Sequence, residues 1–227
     1  MEQGFANLVA AAVAFVGTHF ALSHPLRAPI VKAIGSIGFQ IVYSLVAFAT
    51  FGWMVLAYRA IGPQIGLWDG TQAGLWLLSS LLTLVAAVLF VGSLLGNPAL
   101  PDPRAVSLAD KSVHGVFHVT RHPMMWGFAL WALAHGLISP TPRSLVLTGT
   151  LGFLALVGSH LQDRKKQTLM GAAWAGWQAK TSYWPKLGGL TKAGVVPWAG
   201  GVILWLVATY LHILGNGMAA GIRRWMG

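Results

Sequence analysis

What most constrains this chain is its succession of long apolar runs, because a bilayer hydrocarbon core of about 30 Å takes roughly 20 apolar residues to cross as a helix. The runs cover residues 4–22, 37–58, 73–96, 123–139, 144–161 and 195–215, and each reads as one transmembrane helix. Ser23-His24-Pro25, Gly62-Pro63, Asn97-Pro98 with Pro101 and Pro103, and Pro140-Thr141-Pro142 interrupt the pattern, as helix breakers between spans should. Only 9% of the residues are charged, against about 25% in an ordinary soluble domain. The expected fold is all-α: a polytopic bundle of six transmembrane helices forming one domain over residues 1–227.

Fifteen Lys and Arg against five Asp and Glu give a net charge of +10. Nucleic acid is not the expected partner, because these bases sit in connectors between spans and not along a stripe of a soluble fold. Arg27, Lys32, Arg104, Lys111, Arg121, Arg164, Lys165, Lys166, Lys180, Lys186 and Lys192 lie in the first, third and fifth connectors. The positive-inside rule therefore sets those connectors in the cytoplasm and both termini on the other side. Arg59, Arg143, Arg223 and Arg224 fall on that other side. The first run lacks the basic flank and cleavage site of a signal peptide and is expected to remain as a span. Trp68, Trp76, Trp174, Trp177, Trp184, Trp198 and Trp225 lie near span ends, the position of interfacial anchors. Between Asp163 and Leu190, lysines interleave with Leu169, Met170, Trp174 and Trp177. That pattern predicts an amphipathic helix lying on membrane lipid at the cytoplasmic face.

The chain has no cysteine, which removes disulfides, thiolate nucleophiles and thiolate-bound metals. It has eight histidines. His19 stands late in the first span and His135 well inside the fourth. An imidazole at such depth faces a bundle interior or cavity, either hydrogen-bonded to a neighbouring helix or holding a metal. Haem iron accepts two imidazoles, and with no cysteine present a pair of buried histidines is the evident means of holding it. Thr120-Arg121-His122-Pro123 opens the fourth span, with Pro123 suited to the first helical position. Arg121 and His122 then sit where the helix dipole favours an anion such as a propionate, carboxylate or phosphate. At the end of the fifth span, His160 and Asp163 are three residues apart on one helix face, so Asp163 can orient the imidazole. A simple surface pair of Asp163 with Arg164 or Lys166 is the alternative.

Phe15-Val16-Gly17-Thr18-His19, Leu26-Arg27, Gly35 and Tyr43-Ser44-Leu45 resemble the start of the NnrU family of bacterial membrane proteins. Thr120-Arg121-His122-Pro123 through Trp131-Ala132-Leu133-Ala134-His135, then His160 with Asp163-Arg164, resemble the same family and its plant relative, the 15-cis-zeta-carotene isomerase Z-ISO. The similarity runs nearly the whole length, down to His212 in the last span. It implies a bacterial inner-membrane protein holding haem b through His19 and His135, and a link with denitrification and nitric-oxide metabolism. It further implies cis–trans isomerisation of a lipophilic polyene, gated by reduction of the iron by an electron donor, with Phe15, Trp126, Phe128 and Trp131 walling the cavity. Arg27, Arg121, His122, His160 and Asp163 are the residues expected around the cofactor.

Helix rise sets a physical check on that pair. At about 1.5 Å per residue, His19 lies roughly 5–8 Å and His135 roughly 18 Å from the cytoplasmic ends of their spans, so straight helices do not bring them level. His19 with His122, or with His160, is better matched in depth and stands as the second ligand assignment.

Two other classes remain. Arg121-His122-Pro123 followed by a span and Tyr183-Trp184-Pro185 also resembles isoprenylcysteine carboxyl methyltransferases, which use S-adenosylmethionine. Those enzymes carry paired glutamates after the next span, whereas here Asp163-Arg164-Lys165-Lys166 occupies that place and Glu2 is the sole glutamate. A haem-binding membrane scaffold without catalysis is the third reading.

Overall fold

The computed structural model describes residues 2–226. Among them are eight α-helices and no strand: α1 (Glu2–Ser23), α2 (Arg27–Ala60), α3 (Ala73–Ser93), α4 (Ala105–Asp110), α5 (Pro123–Ile138), α6 (Pro142–Met170), α7 (Ala172–Lys180) and α8 (Val195–Asn216). Short 310 turns cover Gly115–His118, Leu187–Lys192 and Gly221–Trp225. The long helices pack in the order α8, α3, α5, α6, α1, α2. Their outer faces carry exposed apolar side chains such as Phe48, Leu56 and Ile203, as a lipid-facing surface requires, because each helix satisfies its own backbone polar groups.

The all-α membrane architecture is the one expected, with differences in span number and length. Helices α1, α2, α3, α6 and α8 are long and apolar enough to cross a membrane. The fourth of the six expected spans, α5, starts at Pro123 as predicted but has 16 residues, about 24 Å at helical rise and short of a full crossing. Helix α2 begins at Arg27, ten residues before its apolar run, and is broken at Gly35, whose φ of 76° lies in the left-handed region. Glycine alone adopts that conformation without steric cost. Helix α6 continues nine residues beyond the apolar run to Met170, ending where Gly171 takes a φ of 54°. Hydropathy marks the immersed length of a helix, whereas a breaker marks its end, and at both places the two do not coincide.

The segment expected to lie on lipid forms part of a packed cap. Trp174 and Trp177, both fully buried, meet Phe117, Ala99 and Ala109 from the other side of the cap. Trp76 is buried as well, so three of the tryptophans expected as interfacial anchors are interior side chains. Trp184 and Trp225 remain exposed. The long end of α6 ties the cap down: Gln162 Nε2 donates to Ala99 O at 2.9 Å and Lys166 Nζ to Pro98 O at 2.8 Å. The bundle thus has a cap end, holding α4 and α7, and a far end opposite it.

Close approach is set by small residues. A Cβ at Gly201 of α8 would stand 2.7 Å from Val88 Cα of α3, and one at Gly127 of α5 would stand 3.0 Å from Ala86 O of α3. Such contacts replace the hydrophobic drive that is absent between helices in lipid. Trp177→Ala is expected to cost about 3–5 kcal/mol, the usual penalty for emptying a large buried aromatic site. Thermal unfolding in detergent measures it, and an unchanged Tm would show that the cap contributes nothing to stability.

Candidate functional site

Three cavities within this framework bear on the site. The first, about 530 Å³, opens at the far end between α3, α5 and α8. Helices α5 and α8 each pack on α3 and have no comparable contact with each other among the described residues. The floor that α3 presents is made of small side chains, Ser79, Ser80, Thr83, Ala86 and Ala87. From either side α5 and α8 supply His135 and His212, whose ring centroids are 6.0 Å apart with planes inclined at 29°. His135 Nδ1 lies 2.9 Å from Trp131 O and His212 Nδ1 lies 2.7 Å from Ala208 O. A carbonyl oxygen only accepts, so each Nδ1 carries its proton and each Nε2 keeps a lone pair. Neither Nε2 has a hydrogen-bond partner among the described residues.

Arginines stand at the far end of this cavity. Arg224 Cζ lies 4.1 Å from the Trp76 ring and Arg143 Cζ 4.8 Å from the Tyr58 ring, and both rings line the cavity. Trp76 Nε1 and Arg143 Nε are buried with no hydrogen-bond partner. From sequence Trp76 is expected as an interfacial anchor and the arginines only as bases on the less basic side, and neither they nor His212 are expected at a binding site. The signal for the arginines was their exception to the charge bias, Arg143 and Arg224 being two of the four bases on the less basic side.

The second cavity, about 590 Å³, lies toward the cap end among α1, α2, α5 and α6. Its walls include Phe15, Phe51, Leu151 and Leu154, and Ser23, His24, Gln162 and Lys165 form its polar rim. His19 projects into it, with Nδ1 donating to Phe15 O at 2.7 Å and its ring 5.4 Å from that of Tyr43. Partial burial and the Lys165 charge lower the His24 pKa from the ordinary imidazole value. His19 and His135 therefore line different cavities, with Trp131 and Phe128 common to both walls. Phe15, Phe128 and Trp131 are cavity walls as expected, whereas Trp126 turns toward the cap and donates from Nε1 to Tyr183 O at 2.9 Å.

The third cavity is an open cleft at the cap end, lined by Arg121, His160, Asp163, Arg164 and Tyr183. Asp163 of α6 accepts from Arg121 Nε at 2.9 and 3.0 Å, from Arg121 Nη2, and from His122 Nε2 at 2.8 Å. His122 is 2% exposed and its Nδ1 has no partner. Asp163 thus engages the start of α5, 42 residues away in sequence from Arg121, and not His160, its neighbour by helical spacing. Three-residue spacing brings two side chains near each other, but a guanidinium fork offers a carboxylate more bonds. The backbone supports the same junction, Arg121 N donating to Ser182 O at 2.8 Å. Arg27 lies 5.5 Å from the Phe39 ring at the start of α2. None of Arg27, Arg121, His122, His160 and Asp163 lines either histidine cavity, and neither His122 nor His160 shares the His19 cavity.

A family model described as NnrU protein matches residues 7–220, nearly the whole chain. The chain belongs to the NnrU family. No curated protein and no solved structure matches it. The family match includes His19, His135 and His212 and stops short of Arg224. In this NnrU-family protein no three His, Asp or Glu side chains converge as a metal site among the described residues. A metal taken by the His135–His212 pair alone would therefore need further ligands of its own, which a macrocycle provides.

The Arg121–Asp163–His122 junction is nearly closed to solvent, with Arg121 and Asp163 side chains 12% and 9% exposed. Removing one partner of such a pair leaves a buried charge uncompensated, so Asp163→Ala is expected to cost about 3–5 kcal/mol. Thermal unfolding of the variant beside the wild type measures this. A loss typical of a surface ion pair, under about 1 kcal/mol, would contradict a structural role for the junction.

Proposed function

We propose that this NnrU-family membrane protein binds haem b in its far-end cavity, with His135 as an axial ligand, and acts on a lipophilic polyene held in the neighbouring cavity. The supporting observation is the His135 imidazole: its tautomer is fixed by the Trp131 carbonyl, and its free Nε2 lies in an apolar cavity of about 530 Å³. Hydrogen bonding through Nδ1 is how protein groups orient an imidazole and raise its basicity toward a metal. The cavity volume lies within the usual range for a bound cofactor, and its arginine-flanked end suits a flat apolar group with an anionic edge.

The second cavity supports the substrate half of the proposal. Its aromatic and aliphatic walls fit an extended apolar chain, and its polar rim at Ser23, His24, Gln162 and Lys165 gives that chain one defined end. Trp131 and Phe128 border both cavities, so a polyene held in the second would lie beside a cofactor held in the first. Haem held there would supply one-electron chemistry, which also suits the link with denitrification that the family resemblance implies. The chain's residues bind, orient and exclude solvent.

The methyltransferase reading needs Arg121 and His122 for cofactor binding, and Asp163 already engages Nε and Nη2 of Arg121 and Nε2 of His122. No observation favours that reading over the haem one.

Absorption spectra of the detergent-purified protein, oxidised and dithionite-reduced, with a pyridine haemochrome assay, test the proposal. The expected result is a b-type spectrum with about one haem per chain, and retention reduced by roughly half or more in His135→Ala. A colourless protein that takes up no added haem, or full retention in His135→Ala, would overturn it.

A further inference from the structure

Building on the haem reading, we propose that His212, and not His19, is the axial partner of His135, and that Arg224 and Arg143 receive the anionic edge of the group.

Level comes first. His135 stands three residues before the end of α5 and His212 four before the end of α8, both at the far end. His19 stands four residues before the cap-end terminus of α1, in the other cavity. The depth mismatch between His19 and His135 found by counting helical rise persists in three dimensions. His135 and His212 have no such mismatch.

Spacing comes second. Two imidazoles bound through Nε2 to one metal, at about 2 Å on either side, place their ring centroids roughly 6 Å apart. The observed separation is 6.0 Å. Each Nδ1–H is committed to a backbone carbonyl, so Nε2 is the nitrogen that each of the two cavity-lining rings keeps for a ligand. Neither Nε2 is among the buried unpartnered side-chain atoms, so both are reachable from the cavity. A single Lewis acid between them satisfies both.

The shape of the gap agrees. Gly127 and Gly201 bring α5 and α8 against α3 without bringing them against each other. What remains is a slot over a floor of small side chains, suited to a flat group standing on edge. At its far end, Arg143 and Arg224 form no salt bridge among the described residues, and the N–H groups of Trp76 Nε1 and Arg143 Nε are unpartnered. Both guanidinium groups also donate to backbone carbonyls, Arg143 to Ile61 O and Arg224 to Thr71 O, so carboxylates at that end would meet two cations through their remaining N–H groups, with Trp76 Nε1 beside them. The basic residues expected around the cofactor from sequence, Arg27 and Arg121, lie toward the other end of the bundle.

The test is the electronic absorption and electron paramagnetic resonance of ferric wild type, His135→Ala, His212→Ala and His19→Ala. Low-spin six-coordinate haem is expected in wild type and His19→Ala. His212→Ala is expected to become high-spin or lose haem, and added imidazole is expected to restore the low-spin signal, a rescue that a misfolded variant would not show. Loss of the low-spin signal in His19→Ala with its survival in His212→Ala would overturn the ligand assignment and leave the haem reading standing. Wild type that binds no haem would overturn both. Arg224→Gln should weaken haem affinity on the order of tenfold, the scale of a lost orienting contact; unchanged affinity would overturn the placement of the anionic edge.

Discussion

Helix α3 is the surface on which the half of this protein that carries His135 and His212 is assembled. In lipid there is no hydrophobic drive between helices, so association depends on how closely backbones can approach. Gly127 lets α5 reach the Ala86 carbonyl of α3, and Gly201 lets α8 reach the Val88 backbone. Because both partners settle on one helix from different sides, the space between them is left open, and His135 and His212 are the side chains that reach across it. A larger residue at either glycine would move one wall of that slot.

The cap end performs a different task. Asp163 joins α6 to the first residues of α5, while Gln162 and Lys166 of the same helix hold the carbonyls of the connector at Pro98–Ala99. Trp174 and Trp177 fill the space beneath. A short helix such as α5 needs this support: with 16 residues it spans less than a hydrocarbon core, and its Pro123 start is anchored from α6 and from the Ser182 and Tyr183 carbonyls. The histidine cavities thus hang between a rigid cap and an end fringed with arginine.

The apolar runs made the helical membrane fold legible from sequence, because hydropathy over some twenty residues is a local property. The kink at Gly35 and the nine-residue extension of α6 were not, since backbone conformation and helix continuation beyond the apolar stretch leave no mark on hydropathy. Trp174 and Trp177 were read as anchors because tryptophan near a span end usually is one, and only the fold reveals the cap they fill. His135 stood out as a polar residue inside a span, and His212 equally met that description. What singled out His212 was its register against α5 across α3, a tertiary fact. The partner of Asp163 was hidden for the same reason, 42 residues separating it from Arg121.

The account rests on iron lying at the far end, between α5 and α8. With no cysteine in the chain, a nitroxide can be attached at one introduced cysteine without ambiguity. Gln72 and Ala179 are exposed at the far end and in the cap, respectively. Pulsed electron paramagnetic resonance between low-spin ferric haem and each label gives the two distances. The account predicts a shorter distance from Gln72→Cys than from Ala179→Cys. The reverse order would place the iron toward the cap end and contradict it.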